Sequence, residues 1–255
     1  RTFYEGMKGE GQEKVVNLLR CAWAGSARYG ALVWSGDVHS DFPTLRKQIC
    51  AGLNMGLAGI PWWTTDIGGF AGGDPKDEGF RELIVRWFQW GAFCPVMRLH
   101  GNRVPDERVF RKTGEELLPS GADNEIWSFG DKAYDILKNL IDFRETMRPY
   151  VRALMQEAHE DGAPVMRTMF FAFPEDEATW DLRDQYMFGP DVLVAPVLDA
   201  GAVQRAVYLP KGAQWTDLHT GKTYAGGQTL ACDAPLERIP VFLRDGSHPD
   251  WIGKI

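Results

Sequence analysis

The stretch VWSGDVHSDFPTLRKQICAGLNMGLAGIPWWTTDIGGF, residues 33–70, contains two strand-like apolar runs, and each leads into an acid. The first run, YGALVW at 29–34, passes through a Ser-Gly pair into Asp37. The second, IPWWTTDIGGF at 60–70, reaches Asp66 and a glycine turn. An acid after an apolar run is often a solvated turn residue. Catalytic residues, however, also collect where the strands of parallel sheets end.

A helix pattern separates the two runs. Asp41 suits the capping position that precedes a helix, and Pro43 suits its first turn. A stop is predicted at Gly59. The apolar face between them recurs every four residues, at Leu45, Ile49, Leu53 and Leu57. The order strand, polar loop, helix, strand predicts a parallel sheet covered by helices.

The same order continues on both sides of this stretch. Upstream, VVNLLRCAW at 15–23 predicts a short buried strand, and downstream residues 78–93 predict a helix that ends before Pro95. Residues 101–124 are rich in Gly, Pro and charge and predict a loop. Residues 125–147 predict a long amphipathic helix, with a shorter helical stretch after it.

The last part of the chain has a different pattern. Beyond Gly189-Pro190, short apolar runs alternate with Gly, Pro and Asp turns. The runs are VLVAPVL, RAVYLP, QWTDLHTGKTY and RIPVFLRDG. Short strands at this spacing predict a small antiparallel β domain.

Composition excludes several classes of function. The 255 residues carry 28 Lys and Arg against 35 Asp and Glu, a formal net charge of −7, which argues against non-specific nucleic-acid binding. No apolar stretch is long enough to span a membrane. The four cysteines form no C-x-x-C pair, which disfavours a metal framework. The aromatic share of 12% suits a large core or platforms for sugar or nucleobase faces. No segment identifies a cellular compartment.

Several blocks of the sequence together resemble glycoside hydrolase family 31. They follow the order of that family and span nearly the whole chain. The blocks are R-x-x-x-x-G-x-x-R-Y (20–29), W-S-G-D (34–37), W-T-T-D-I-G-G-F (63–70), M-R-L-H-G (97–101), M-R-P-Y (147–150), P-V-M-R (164–167) and Y-M-F-G-P-D-V-L-V-A-P-V (186–197).

The resemblance implies a retaining α-glycosidase that needs neither a metal nor an organic cofactor. Asp37 matches the general acid/base, which protonates the leaving oxygen and then activates water. Paired Arg and Asp side chains suit sugar hydroxyls because they offer planar donors and acceptors. The positions that match the pocket for the terminal sugar are Arg20, Trp34, Asp66, Arg98 and His100, with Phe70 and Trp63 as aromatic walls.

Each of these residues also has a purely structural interpretation. Asp37 would then be a turn acid, Asp66 a helix cap and His100 a hydrogen-bonded loop histidine. Arg20 would be a buried ion-pair partner. Trp62 and Trp63 point to opposite faces of a strand, so one of the two belongs to the core.

The second carboxylate of a retaining enzyme is not found in this sequence. Retention needs two carboxylates about 5–5.5 Å apart, and the family's nucleophile lies on an earlier barrel strand. We therefore expect residues 1–185 to form the later strands and helices of a (β/α)8 TIM-type barrel, an α/β fold, and residues 186–255 to form a small antiparallel β-sandwich. The open sheet edge predicts self-association or a complementary chain that carries the missing half.

Three classes of function follow from the sequence. The first is an exo-α-glycosidase with a carbohydrate substrate. The blocks PWWTTD (61–66) and GGDPK (72–76) resemble those of xyloglucan-type α-xylosidases, which implies an α-xyloside, with α-glucosides as the close alternative. The second is a non-catalytic carbohydrate-binding or assembly fragment, which would bind sugar weakly without turnover. The third is a metal-dependent hydrolase that uses Asp37, His39, Asp66 and His100, although no H-x-H pair or other ligand spacing supports it.

Overall fold

Three short parallel strands underlie the two acids. The computed structural model describes residues 1–107, 110–115 and 120–255. The strands pair in the order β1-β2-β3, with bounds β1 (Asn17–Leu19), β2 (Ala31–Trp34) and β3 (Trp63–Thr64). Residues 96–99 run beside β3, since the Val96 amide donates to the Trp63 carbonyl at 3.4 Å. The predicted parallel sheet is confirmed.

Helices pack against this sheet, and most lie where the sequence pattern predicts them. Their bounds are α1 (Thr2–Gly9), α2 (Phe42–Leu57), α3 (Glu78–Gly91), α4 (Asp131–Thr146) and α5 (Arg148–Asp161). The helix at Thr2–Gly9 was not predicted, and the one predicted over 125–147 begins at Asp131, after a 3-10 turn at Ile126–Phe129.

As predicted, Asp41 caps α2, accepting the Thr44 amide on its side-chain oxygen at 2.7 Å, and Gly59 follows the end of the helix with φ +75°. The apolar faces of α2 and α3 are largely buried in the core, where each large side chain contributes about 1.5–3 kcal/mol. Leu57, predicted to belong to the apolar face of α2, is instead 43% exposed at the end of the helix. Within the described residues, no helix combines the length and apolarity that a membrane crossing requires.

Two segments differ from the sequence expectation. The run at 15–23 forms only the three residues of β1, and Leu18 is 41% exposed rather than buried, because β1 is the edge of its sheet. The segment at 101–124 is not a simple loop. It contains β4 (Arg103–Glu107) and β5 (Ser120–Ala122), which pair antiparallel, while residues 108–109 and 116–119 lie outside the described residues.

The last third of the chain is built on antiparallel strands. A six-stranded sheet has the order β11-β10-β13-β8-β7-β6, and a separate ribbon pairs β9 with β12. The elements are β6 (Met166–Arg167), the short helix α6 (Met169–Ala172), β7 (Tyr186–Phe188), β8 (Val192–Val194), β9 (Gln204–Leu209), β10 (Gln214–Asp217), β11 (Thr223–Ala225), β12 (Gln228–Asp233) and β13 (Val241–Arg244). A second core joins the ribbon to the sheet through Met187, Leu193, Val207, Trp215 and Phe242. The sheet already includes β6, which lies before residue 185, so its strands do not mark a domain boundary between residues 185 and 186. That boundary stays a prediction.

One arginine of α3 joins the two regions. The Arg86 side chain is 2% exposed and donates to the carbonyls of Ala202 (3.0 Å), Ala234 (2.8 Å), Pro235 (3.1 Å) and Arg238 (3.0 Å). Buried carbonyl groups require hydrogen-bond partners. This side chain therefore fixes the antiparallel region against the helix that precedes Arg98 and His100 in the chain.

Candidate active site

The loops that follow β2, β3 and residues 96–99 lie side by side at the carboxyl edge of the sheet. The Phe70 amide donates to the Val38 carbonyl at 2.8 Å, and the Asn102 amide donates to the Phe70 carbonyl at 2.7 Å. The hydroxyls of Ser35 and Thr65 are 3.2 Å apart. Residues that are distant in sequence are therefore brought to one surface, as expected for parallel βα units.

Asp37 and Arg20 form an exposed ion pair on this surface. Arg20 Nη2 donates to Asp37 Oδ2 at 2.5 Å, and the two side chains are 59% and 44% exposed, respectively. The guanidinium also lies over the Trp34 ring, 5.5 Å from its centroid. Exposed pairs of this kind contribute only about 0–1 kcal/mol to stability. The pair therefore adds little to the stability of the fold. Because Arg20 is exposed, it is not the buried ion-pair partner that the purely structural interpretation predicts.

Asp66 is completely buried beside this pair and is ionically linked to Arg98. Arg98 Nη1 donates to Asp66 Oδ1, whereas Oδ2 has no hydrogen-bond partner among the described residues. Burial raises the pKa of Asp66, the charges of Arg98 and His100 oppose that rise, and the charge of Asp37 adds to it. Asp66 caps no helix, because α3 begins at Glu78 with Asp77 as its cap.

Phe70 and His100 complete the surface. Their ring centroids are 5.5 Å apart at an interplanar angle of 41°. Phe70 is partly buried and His100 is exposed. An apolar face next to an exposed imidazole can contact a sugar ring while donating to one of its hydroxyls.

Trp63 does not join the other residues. It is 2% exposed, its ring centroid lies 5.8 Å from that of Trp90 on α3, and a Cβ at Gly52 of α2 would lie 2.9 Å from the ring. The side chain therefore packs against the helices. Of the two neighbouring tryptophans, Trp63 is the one in the core between sheet and helices, while Trp62 is only partly buried.

The site is an open surface rather than a closed cavity. A cavity of about 860 Å³ lies at the opposite edge of the sheet, where Val15, Gly30 and Trp62 precede the three strands. Over the ranges that the structure describes, no three His, Cys, Asp or Glu side chains converge as metal ligands would.

The sequence analysis missed one residue of this region, Arg103. The sequence places it in a loop, but the side chain is fully buried beneath the loops of the candidate site.

The buried state of Asp66 predicts an unusual pH dependence of stability. A carboxyl whose pKa is raised on folding stabilises the fold at low pH, and this contribution is lost as pH rises through the folded pKa. Asp66→Asn removes the titration, so the variant should be at least as stable as the wild type at pH 7 and lose that advantage near pH 3. Urea unfolding at both pH values measures the difference. A variant much less stable at pH 7 would mean that attraction to Arg98 outweighs burial.

Comparison with known proteins gives two matches to family models. The model of the "Glycosyl hydrolases family 31 TIM-barrel domain" matches residues 1–154, and the model of the "Glycosyl hydrolase family 31 C-terminal domain" matches residues 162–247. The two models divide the chain between its parallel and antiparallel regions.

Individual relatives agree with the family models. An alpha-xylosidase of Saccharolobus solfataricus is 37% identical over 100% of this chain and 32% of its own length. An uncharacterized family 31 glucosidase of Pseudescherichia vulneris is 66% identical over 40% of this chain and 20% of its own length. A GH31 alpha-xylosidase from a soil metagenome, solved with xylose, has a TM-score of 0.92 and 59% identity and matches 97% of this chain but 37% of its own. The chain thus spans about a third of the length of these alpha-xylosidases.

Proposed function

Because this chain belongs to glycoside hydrolase family 31, we propose that it carries the acid/base side of the sugar pocket of a retaining exo-α-glycosidase. The observation that supports the proposal most strongly is the exposed Asp37–Arg20 pair beside the buried Asp66–Arg98 pair, at the carboxyl edge of a parallel sheet. Catalytic groups of this fold class come from such strand ends.

Asp37 has the role of general acid/base in this proposal. A retaining enzyme uses one carboxyl group first to protonate the leaving oxygen and then to take a proton from the attacking water. Asp37 is the exposed carboxyl of the two acids, so it is the one that can reach a glycosidic oxygen. Arg20 orients it through the Oδ2 contact.

The other residues hold the terminal sugar. Arg98 and His100 offer hydrogen bonds to its hydroxyls, the buried Asp66 holds Arg98 in place, and Phe70 and Trp34 offer apolar faces. The role of Trp63 is indirect, because its ring supports the strand from the helix side. The chemistry needs no metal, since proton transfer and carboxylate attack account for both steps.

In this proposal, the second carboxylate comes from a segment that pairs at the β1 edge. Edge strands offer unpaired backbone groups to other strands, and the adjoining Val16 and Leu18 are 55% and 41% exposed. We propose that further strands of a (β/α)8 barrel pair here, from the same polypeptide, a complementary chain or a second copy. Residues 1–185 would then be the later part of the barrel, and residues 186–255 the β-sandwich.

The substrate class is an α-xyloside in this proposal, with an α-glucoside as the alternative. The first is supported by the 59% identical alpha-xylosidase solved with xylose. The second is supported by the family 31 glucosidase that is 66% identical over part of this chain. Both substrates would present a pyranose ring to the same Phe70 and His100 surface.

The test compares hydrolysis of 4-nitrophenyl α-xyloside and α-glucoside by two proteins. One is this chain alone, and the other is a chimera in which it replaces the matched part of the soil-metagenome alpha-xylosidase. We expect the chimera to hydrolyse the xyloside faster than the glucoside. A folded chimera that cleaves neither would contradict the proposal. Sugar binding without turnover by both proteins would favour the non-catalytic carbohydrate-binding alternative.

A further inference from the structure

A buried arginine beneath the loops of the candidate active site connects them to one another. Arg103, the first residue of β4, is fully buried. Its Nη1 donates to the carbonyls of Gly69 (2.9 Å) and Gly72 (3.0 Å) and to Ser40 Oγ (3.2 Å). Its Nη2 donates to the Ile67 carbonyl at 3.2 Å. One guanidinium thus binds the loop of Asp66 and Phe70 and the loop that follows Asp37.

The third loop, which carries His100, is linked to the same side chain both directly and through the backbone. Arg103 Nη2 donates to the His100 carbonyl at 3.5 Å. The Ala71 amide donates to the Val38 carbonyl at 2.9 Å, and the Gly72 amide donates to the Asn102 carbonyl at 3.2 Å, one residue before Arg103 itself. Arg103 Nε also donates to Asn124 Oδ1 at 2.6 Å, which fixes the guanidinium from the side away from the loops.

The backbone around the guanidinium leaves space for it. A Cβ at Gly101 would lie 2.4 Å from Arg103 Nη2, and a Cβ at Gly68 would lie 2.9 Å from the same atom. Gly68 also has φ +89°, a conformation that side chains disfavour. On another side, the Phe80 ring lies 4.8 Å from the guanidinium carbon. The loops are therefore shaped around an arginine at this position.

A buried charge in this place has an energetic cost. Burial lowers the pKa of Arg103 to about 10, which reflects the cost of removing the guanidinium from water. An apolar side chain would avoid that cost but would leave the Ile67, Gly69 and Gly72 carbonyls without this donor. What an apolar side chain could not do is bind oxygens from separate loops in fixed directions.

We propose that Arg103 is a positioning residue for the candidate active site, which sets the relative placement of Asp37, Asp66 and His100 by binding the loops that carry them. The expected effect on sugar binding rests on the proposed function, whereas the effect on the loops can be measured independently of it.

The test uses Arg103→Met and Arg103→Lys, with Arg86→Met as the matched control. Arg86 is also a buried arginine bound to several backbone carbonyls, but it contacts the antiparallel region instead of the loops. Hydrogen exchange of the 255-residue chain reports loop opening at the amides of Phe70, Ala71 and Asn102. Titration with xylose, followed by NMR, reports affinity.

We expect Arg103→Met to speed exchange at these amides and weaken xylose binding, each by about tenfold, which corresponds to about 1.4 kcal/mol. Arg103→Lys should recover part of both effects, because an ammonium group can still reach one or two of the oxygens. Arg86→Met should speed exchange around residues 234–238 and leave xylose affinity unchanged.

Two results would overturn the positioning role. One is unchanged loop exchange in a folded Arg103→Met or, if that variant does not fold, in Arg103→Lys. The other is an equal loss of xylose affinity in Arg86→Met. If the wild-type chain shows no response to xylose or glucose, the titration is made with the chimera, where no response would contradict the proposed function. The exchange data decide separately whether Arg103 orders the loops.

Discussion

Asp37→Asn is expected to reduce hydrolysis of 4-nitrophenyl α-xyloside by the chimera about 10²–10⁴-fold, the usual contribution of a general acid/base. The amide keeps the size of the carboxyl group and can still accept the Arg20 hydrogen bond. It can neither donate a proton nor take one from water. Because nitrophenolate departs with little acid assistance, the step that slows most is the attack of water on the glycosyl–enzyme intermediate. The measurement is kcat for the two proteins side by side.

A second acid gives the control for this loss. Asp142 lies on α4, where its carboxylate pairs with Lys138 at 2.6 Å, and it is not one of the site residues. Asp142→Asn should leave kcat within about twofold, as expected for a surface change without a special role. Similar kcat values for wild type and Asp37→Asn would show that Asp37 is not the general acid/base.

Arg86→Met is expected to destabilise the chain by about 3–5 kcal/mol, because several buried carbonyls lose their donor and each one left unsatisfied costs about 1–3 kcal/mol. The affected carbonyls are those of Ala202, Ala234, Pro235 and Arg238. In the variant, the Gln89 side chain still donates to the Leu236 carbonyl at 2.8 Å, so only part of the contact between α3 and the antiparallel region remains. Urea unfolding at pH 7 measures the change in free energy.

An exposed arginine provides the comparison for Arg86. Arg46 of α2 also connects to the antiparallel region, through an exposed pair with Asp199 at 2.8 Å. Arg46→Met should cost at most about 1 kcal/mol, because exposed pairs contribute little. Equal losses of unfolding free energy in the two variants would show that the buried carbonyl contacts of Arg86 stabilise the chain no more than an exposed ion pair does.

The parts of the fold that the sequence predicts are those encoded by local signals. The start of α2 follows from the Asp41 cap and its end from Gly59, and both depend on residues within a few positions of the helix. The β4–β5 ribbon could not be predicted in this way, because its strands contain Pro and charged residues that usually indicate loops. The ribbon is instead held by contacts of Arg103 with residues distant in sequence, namely Asn124 and Gly69.

The candidate site shows the same division. That Asp37 and Asp66 lie at one edge follows from the βα order, because parallel strands all end on the same side. Which of Trp62 and Trp63 enters the core cannot be deduced from alternation, since period two assigns opposite faces without naming them. Burial of Arg103 has no local signal either, because the glycines that make room for it are separated in sequence.

The central claim, that Asp37 is the acid/base of a retaining α-glycosidase, is tested most directly by azide rescue of Asp37→Asn in the chimera. Without the general base, water attacks the glycosyl–enzyme intermediate slowly, whereas azide needs no proton removed. Azide should therefore restore the release of nitrophenol and yield α-xylosyl azide, with the configuration of the substrate retained. Rescue that yields β-xylosyl azide would identify Asp37 as the nucleophile instead, and a folded variant without any rescue would contradict the acid/base role.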